Sequence, residues 1–301
     1  MPARSNWKHE RVHFYKYVTA DAALKILTNR TLKYSSPLLF NDPFDIQFDL
    51  HFGYDRDAVI SAARDRYWAI YTKQCSFEPK NDAGEAMGLL RDKLPGMTRA
   101  EFEENLSGLV DESLNAGEAH LPRFHAEFRD HMRDIKVLCL SEKSDNLLMW
   151  SHYADCHKGV VLRFSCIPEL DSVWGAAEKV RYQQEMPRLI SQDEMVLTLT
   201  GEFDLSEQHL LNKVVLTKAA DWSYEAEWRV VLHMTDPEVD AKFIRFAPEE
   251  LSAIYFGCRT TNDTRSQIST VAMALNPKLE LYRAFKSATD FAIEFELTEQ
   301  L

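Results

Sequence analysis

The sequence predicts an α+β protein with a mixed, mainly antiparallel central sheet and one helical insertion. Two observations carry that expectation. Strand-like and helix-like segments are interspersed without a regular βαβ alternation. Between residues 55 and 133 the apolar period becomes purely helical, with no strand signal. The chain therefore reads as a single domain, 1–301, with 55–133 inserted into it.

The elements follow in order. His13-Phe14-Tyr15-Lys16-Tyr17-Val18 is aromatic and β-prone. Thr19 stands where a cap is needed for a helix over 20–29, whose Ala23, Leu24, Ile26 and Leu27 form an apolar stripe. A second strand, 31–36, is stopped by Pro37. Phe40-Asn41-Asp42-Pro43-Phe44-Asp45 reads as a turn, because Asn and Asp side chains bond their own backbone. In the insertion, Val59, Ile60, Ala63, Tyr67, Ile70 and Tyr71 recur at helical spacing, as do Leu121, Phe124, Phe128 and Met132. Strands are expected again at 136–140, 158–164 and 178–182, with a short helix over 145–154 between the first two. Residues 189–217 read as mostly helical. Strands follow around 228–231, at 243–246 and at 253–256, then a helix over 260–274, then strands at 279–285 and 291–297.

Composition sets outer limits. The 301 residues are 45% hydrophobic and 27% charged, ordinary for a globular protein. No run of about 18 apolar residues exists, so no membrane span is expected. The N-terminal MPARSNWKHERVHFYKY is basic but has no apolar core, so it does not read as a secretory signal, and a cytoplasmic protein is expected. The five cysteines are scattered and form no CxxC, so neither a disulfide framework nor a zinc ribbon is indicated. His152 and Cys156 fall on one helical face, which alone is weak evidence for a metal, and none is expected. A net charge of −12 disfavours general binding to phosphate backbones.

Familiar catalytic signatures are missing: no GxSxG, no GxxxxGK[ST], no GxGxxG and no HExxH. The chemistry-bearing stretch is Trp222-Ser223-Tyr224-Glu225-Ala226-Glu227-Trp228-Arg229-Val230-Val231. If it is all strand, Glu225, Glu227 and Arg229 share one face and Ala226, Trp228 and Val230 the other. That face is either a surface salt-bridge ladder or a polar site floored by aromatic rings. Asp42 and Asp45 are either a carboxylate pair or parts of a turn.

Four blocks carry a resemblance: LKYSSPLLFNDPFD, CLSEKSDNLLMWSHYADCHKGVVLRF, WSYEAEWRVV and AIYFGCRT. Together they resemble a widespread bacterial domain family of unknown function. More distantly, the pattern is similar to ADP-ribosyltransferases. Those enzymes carry Arg or His on a first strand, a Ser-Thr or Tyr motif on a second, and Glu, often as ExE, on a later one. The matching positions here are Tyr15-Lys16-Tyr17, Ser35-Ser36-Pro37 and Glu225-Ala226-Glu227. The departure is at the first, where the sequence offers Lys16, or His13 off the matching position, and the family has Arg or His.

The resemblance implies an ADP-ribosyltransferase-like fold. It also implies an enzyme that takes NAD as substrate and passes ADP-ribose to a macromolecular acceptor, protein or nucleic acid. Bacterial relatives of that kind include toxins and phage-defence effectors. Under it, Glu227 stabilises the positive charge that grows on the ribose, and Glu225 orients the acceptor. Ser35 and Ser36 position Glu227 or the ribose, and Lys16 or Arg229 meets the pyrophosphate. Tyr15 belongs to the same binding strand, and Trp150 or Tyr153 offers a ring for nicotinamide. Trp150 is also expected to be buried against the sheet, with Tyr153 nearer the cleft. Glu227→Gln is expected to abolish nicotinamide release with the fold nearly intact. Two rivals remain: a nucleotide-binding or sensor module without chemistry, and a hydrolase or nuclease that uses Asp42, Asp45 and Glu227 around a divalent ion.

Overall fold

The computed structural model describes residues 7–48, 51–106, 108–204, 206–233 and 240–298. The first six residues of the basic N-terminal stretch lie outside that description. In chain order the elements begin with β1 (His13–Val18), α1 (Ala20–Asn29), β2 (Thr31–Ser35), β3 (His51–Gly53), α2 (Arg56–Tyr71), α3 (Asp82–Lys93), α4 (Arg99–Asn105), α5 (Leu109–Asp134), β4 (Ile135–Ser141), α6 (Leu147–Tyr153) and β5 (Val160–Ser165). They continue with β6 (Glu178–Lys179), β7 (Arg181–Gln183), β8 (Arg188–Ser191), α7 (Gln192–Leu199), α8 (Glu207–Val215), β9 (Thr217–Ala219), β10 (Glu227–His233), β11 (Ala241–Arg245), β12 (Leu251–Phe256), α9 (Asn262–Leu275), β13 (Glu280–Lys286) and β14 (Ile293–Leu297). The fold is α+β with a large mixed, mostly antiparallel sheet.

Contacts divide the chain into two compact units. One is Met1–Gln47, His131–Gln184 and Leu216–Leu301; the other is Phe48–Asp130 with Glu185–Val215. The division departs from a lone insertion at 55–133, because residues 185–215 belong with the helical block. The physical link is a parallel pairing of β3 with β8, His51 opposite Arg188, which apolar periodicity does not reveal. In this second unit the buried face of α2 (Val59, Ala63, Tyr67, Ile70) packs with Met87, Phe102, Leu114 and Ile190. Its helices start at side-chain caps: Asp55 accepts from the Ala58 N–H at 2.9 Å, and Thr98 and Ser191 form reciprocal capping boxes with Glu101 and Glu194.

The first unit is built on a ten-stranded sheet that forks at β4. On one edge, β4 pairs with β10 along its whole length, from Glu227↔Ser141 to His233↔Ile135. On the other edge it meets two strands at one position each: β1 at Tyr15↔Ser141 and β2 at Ser35↔Val137. From β1 the sheet continues through β5, β12, β13 and β14; from β2 it continues to β11. All pairs in this sheet are antiparallel except β12 with β13. The strands read around Tyr15, Tyr34, Val137, Val161, Val230, Tyr255, Leu281 and Phe295 all belong to this one sheet.

Strand period sorts the side chains. Phe14, Leu138, Leu140, Val160, Leu162, Phe164, Trp228, Val230, Ile254 and Phe256 point to one face and pack with Ala23 and Leu27 of α1 and Ile268 and Ala272 of α9. The opposite face holds a second cluster of Tyr17, Trp150, Val161, Tyr255, Ala284 and Ile293. Thr19 caps α1 as expected, accepting from Ala22 N–H at 3.3 Å. The segment read as one strand over 178–182 is two: β6 pairs with β10, and β7 pairs in parallel with β9.

Candidate functional site

The stretch around Glu225 is not one strand. Residues Ala220–Glu225 form a 3-10 turn, Ala226 takes a left-handed conformation with φ 46°, and the strand starts only at Glu227. Glu225 therefore does not share a strand face with Glu227 and Arg229. The left-handed turn redirects it so that it still converges with Glu227. Ser141 Oγ donates to the Glu225 carbonyl at 2.7 Å, and Asn146 Nδ2 donates to the Tyr224 carbonyl at 2.9 Å. These bonds tie the turn to β4 and to the start of α6.

Five ionisable side chains meet there, all nearly or fully buried: Asp45, Lys218, Glu225, Glu227 and Arg229. Lys218 Nζ lies 2.6 Å from Glu225 Oε2, 3.1 Å from Glu227 Oε2 and 3.3 Å from Asp45 Oδ2. Arg229 Nε donates to Glu227 Oε1 at 2.8 Å and Nη2 to Glu227 Oε2 at 3.0 Å. Arg229 Nη2 also reaches Asp45 Oδ2 at 2.6 Å. Tyr153 Oη donates to Glu225 Oε1 at 2.5 Å, and the Glu227 N–H donates to Tyr182 Oη at 2.8 Å. Lys218 and Arg229 also sit over the rings of Trp222 and Phe40, at 5.1 and 5.4 Å.

The two glutamates differ electrostatically. Burial pushes Glu227 toward its neutral form, but the charges of Arg229 and Lys218 outweigh it and hold the carboxyl well below the usual range. Burial dominates at Glu225 and raises its pKa; Lys218 opposes that and Glu227 adds to it. Lys218 loses hydration by burial, yet the three carboxylates hold it protonated, with its pKa raised. With all five ionised, these three carboxylates and two cations sum to a charge of −1.

Beside the cluster, at the fork of the sheet, lies a cavity of about 310 Å³. Its wall includes Tyr15, Lys16, Ser35, Tyr153, Glu225 and Glu227, so six of the nine residues expected from sequence meet there. Asn41, Asp45, Cys139 and Lys218 add to it. Lys16 Nζ donates to the Cys139 carbonyl at 2.7 Å, and Lys33, which also lines the cavity, forms no ion pair among the described residues.

Three expected residues do not line the cavity. Ser36 is buried, with its N–H on the Asp240 carbonyl at 2.8 Å. Trp150 is fully buried against Tyr17 and Phe295, with Nε1 donating to the Ser144 carbonyl at 2.8 Å. Its role is packing. Arg229, fully buried, supports Glu227 from beneath and is not placed to meet a pyrophosphate.

Sequence reading missed Lys218. Its signal was a lone lysine in the apolar run Val214-Val215-Leu216-Thr217-Lys218-Ala219-Ala220. Asp45 and Asp42 also separate. Asp42 accepts from the Phe44 N–H at 2.9 Å as an Asx turn, while Asp45 enters the cluster. The set expected around a divalent ion, Asp42, Asp45 and Glu227, is therefore not brought together; Asp45 meets Glu225 and Glu227 instead, and the Lys218 ammonium is paired with all three. Among the described residues no group of three His, Cys, Asp or Glu is arranged to hold a metal ion. Among those residues, too, no helix is long and apolar enough to cross a membrane.

No curated protein and no solved structure matches this chain. Residues 149–230, which begin within α6 and include Lys218, Glu225, Glu227 and Arg229, match the family model described as Protein of unknown function (DUF2971).

Proposed function

We propose that the cavity at the fork binds the nicotinamide-riboside end of NAD, and that the protein is an ADP-ribosyltransferase-like enzyme acting on a macromolecular acceptor. The observation that carries this reading is a buried cluster of three carboxyl groups, a lysine and an arginine beside a cavity that Tyr15, Lys16, Ser35 and Tyr153 line together with Glu225 and Glu227. The order β1, β2, then β10 around β4 supports the same reading, since these strands bear the three positions at which the resemblance rests.

The chemistry suits these groups. The nicotinamide–ribose bond breaks with its electron pair going to nicotinamide, and positive charge develops at the sugar. An ionised carboxylate fixed before the reaction stabilises that charge without reorganising. Glu227, held ionised by Arg229 and Lys218, fills that role. Glu225, with its raised pKa, takes the proton of the attacking acceptor as the new bond to the sugar forms. Tyr153 orients Glu225, and Lys33 at the rim suits the pyrophosphate. The test is release of nicotinamide from NAD, with and without cell lysate as a source of acceptor. Release that needs intact Glu225 and Glu227 supports the reading; absence of release in both conditions refutes it.

One observation favours a second reading. Both oxygens of Glu227 already accept from cations, and Lys16 already donates to a backbone carbonyl. A glutamate and a lysine so engaged suit a nucleotide-binding or sensor module that does no chemistry. NAD binding by titration without nicotinamide release separates the two.

A further inference from the structure

One buried charge in the cluster is incompletely satisfied. Asp45 is only 2% exposed, and its Oδ2 accepts from Arg229 and is ion-paired with Lys218. Its Oδ1 is buried and has no hydrogen-bond partner among the described residues. A buried carboxylate oxygen without a donor is costly and uncommon. The backbone that delivers Asp45 is also strained. Ile46, next in sequence and buried, has φ 69°, a left-handed conformation that a β-branched residue rarely adopts. Strain of this kind persists where surrounding structure enforces it, and it concentrates at ligand sites. Asp45 lies in the wall of the cavity beside Asn41 and Glu227.

We infer that Asp45 is a specificity-determining residue whose Oδ1 accepts a hydrogen bond from a hydroxyl of the bound ligand, so that the ligand carries a sugar hydroxyl at this point. This deepens the NAD reading and rests on it for the identity of the sugar. A hydroxyl fits better than a further cation, because Lys218 and Arg229 already supply two positive charges to the same carboxylate. A ligand hydroxyl reaches Oδ1 through rotation about the Cβ–Cγ bond, a broad torsion that shifts Oδ2 against its two cations by the same angle.

The experiment measures binding to the full chain, wild type and the Asp45→Asn and Asp45→Ala variants. The probes are NAD, two analogues lacking the 2′ or the 3′ hydroxyl of the nicotinamide ribose, and NADH. Nicotinamide release is followed in parallel, with lysate present. A lost hydrogen bond to a charged group predicts that wild type prefers NAD to one deoxy analogue by about tenfold to a hundredfold. Both variants should bring that ratio close to one. The ratio does not depend on the fraction of protein folded, so a destabilised variant still reports. Wild type that does not discriminate, or variants that discriminate equally well, overturns the role of Asp45. So does a selective loss of preference for NAD over NADH, which would mean that the carboxylate senses charge. Release of nicotinamide with an unchanged ratio removes Asp45 and leaves the transferase reading standing. Hydroxyl-selective binding that depends on Asp45, with no nicotinamide released, upholds Asp45 and removes the transferase reading. No binding of any probe overturns both.

Discussion

Glu227→Gln and Glu225→Gln should differ sharply in stability, although both remove one negative charge from the same cluster. Glu227 accepts three charge-assisted bonds, two from Arg229 at 2.8 and 3.0 Å and one from Lys218 at 3.1 Å. Gln keeps one acceptor oxygen but turns an NH₂ toward a cation, so two of the three contacts are lost or reversed. Removing one member of a buried pair usually costs about 3–5 kcal/mol. Here Asp45 still pairs with both cations, and the formal charge moves from −1 to 0, which places the cost at the lower end, about 3 kcal/mol. Burial thus revises the expectation that this variant folds with nearly full stability. At Glu225 the raised pKa means that the neutral form is already favoured relative to an ordinary carboxyl, and Gln resembles that form. Its cost should be nearer 1 kcal/mol. The sign with pH is opposite for the two. Glu225, raised above 4.5, contributes stability that is fully present below that value and lost as pH rises toward the folded-state pKa. Glu227, lowered below 4.5, contributes stability present above that value and lost as pH falls. The gap between wild type and Glu225→Gln should therefore narrow as pH rises from about 4.5, while the gap for Glu227→Gln should be full above about 4.5 and shrink as pH falls below it. Urea unfolding at several pH values, with unchanged m-values, measures both. Losses under about 1 kcal/mol at both positions, insensitive to pH, would mean a solvated ladder and refute the buried-cluster argument.

Three other outcomes follow from the packing. Trp150→Ala should cost about 3–5 kcal/mol in urea unfolding, since the ring is fully buried; a cost under about 1.5 would place the ring outside the core. Gly159→Ala should destabilise by about 3 kcal/mol or more, because the new methyl would lie 2.2 Å from the Val18 carbonyl oxygen; normal soluble yield and an unchanged unfolding midpoint would contradict that contact. In the helical unit, burial raises the Glu194 pKa, but bonds from Lys213 and Ser191 outweigh it and bring the value to about 2. Thermal stability should then fall as pH drops from about 4.5 toward 2, and Glu194→Gln should flatten that decline.

Local devices were legible in the sequence. Thr19 before Ala20 signalled a cap, and the aromatic and β-branched runs signalled where β1, β4, β5 and β12 lie. What the sequence could not signal was non-local. The left-handed Ala226 breaks the period at the residue where two carboxylates are aimed at one lysine, and an alanine carries no mark of it. The parallel pair of β3 and β8 spans more than a hundred residues of chain. Lys218 was visible as a charge in an apolar run, but its partners come from a loop, a 3-10 turn and a strand far apart in sequence. Trp150 was readable both as core and as site. Its Nε1 bond to the Ser144 carbonyl, which anchors it away from the cavity, needs the fold to be seen.

The position of the cavity follows from the way β4 is shared. One face of β4 gives Leu138 and Leu140 to the apolar core, and the other places Val137, Cys139 and Ser141 under the cavity. Glu227 and Arg229 stand directly opposite Ser141 and Cys139 on β10. Along the other edge, β1 touches β4 only at Ser141 and β2 only at Val137, so the backbone between them has no strand partner. An unpaired sheet edge in a protein interior must be satisfied or exposed to a ligand. Lys16 bonds one carbonyl, that of Cys139, and in doing so carries a cation to the mouth of the fork. A fully paired sheet would close this gap. The gap, the buried carboxylates beside it and the lysines at its two sides are therefore consequences of one topological choice, the attachment of two strands to one edge of β4. Function at this site depends on that choice as much as on the identity of Glu225 or Glu227.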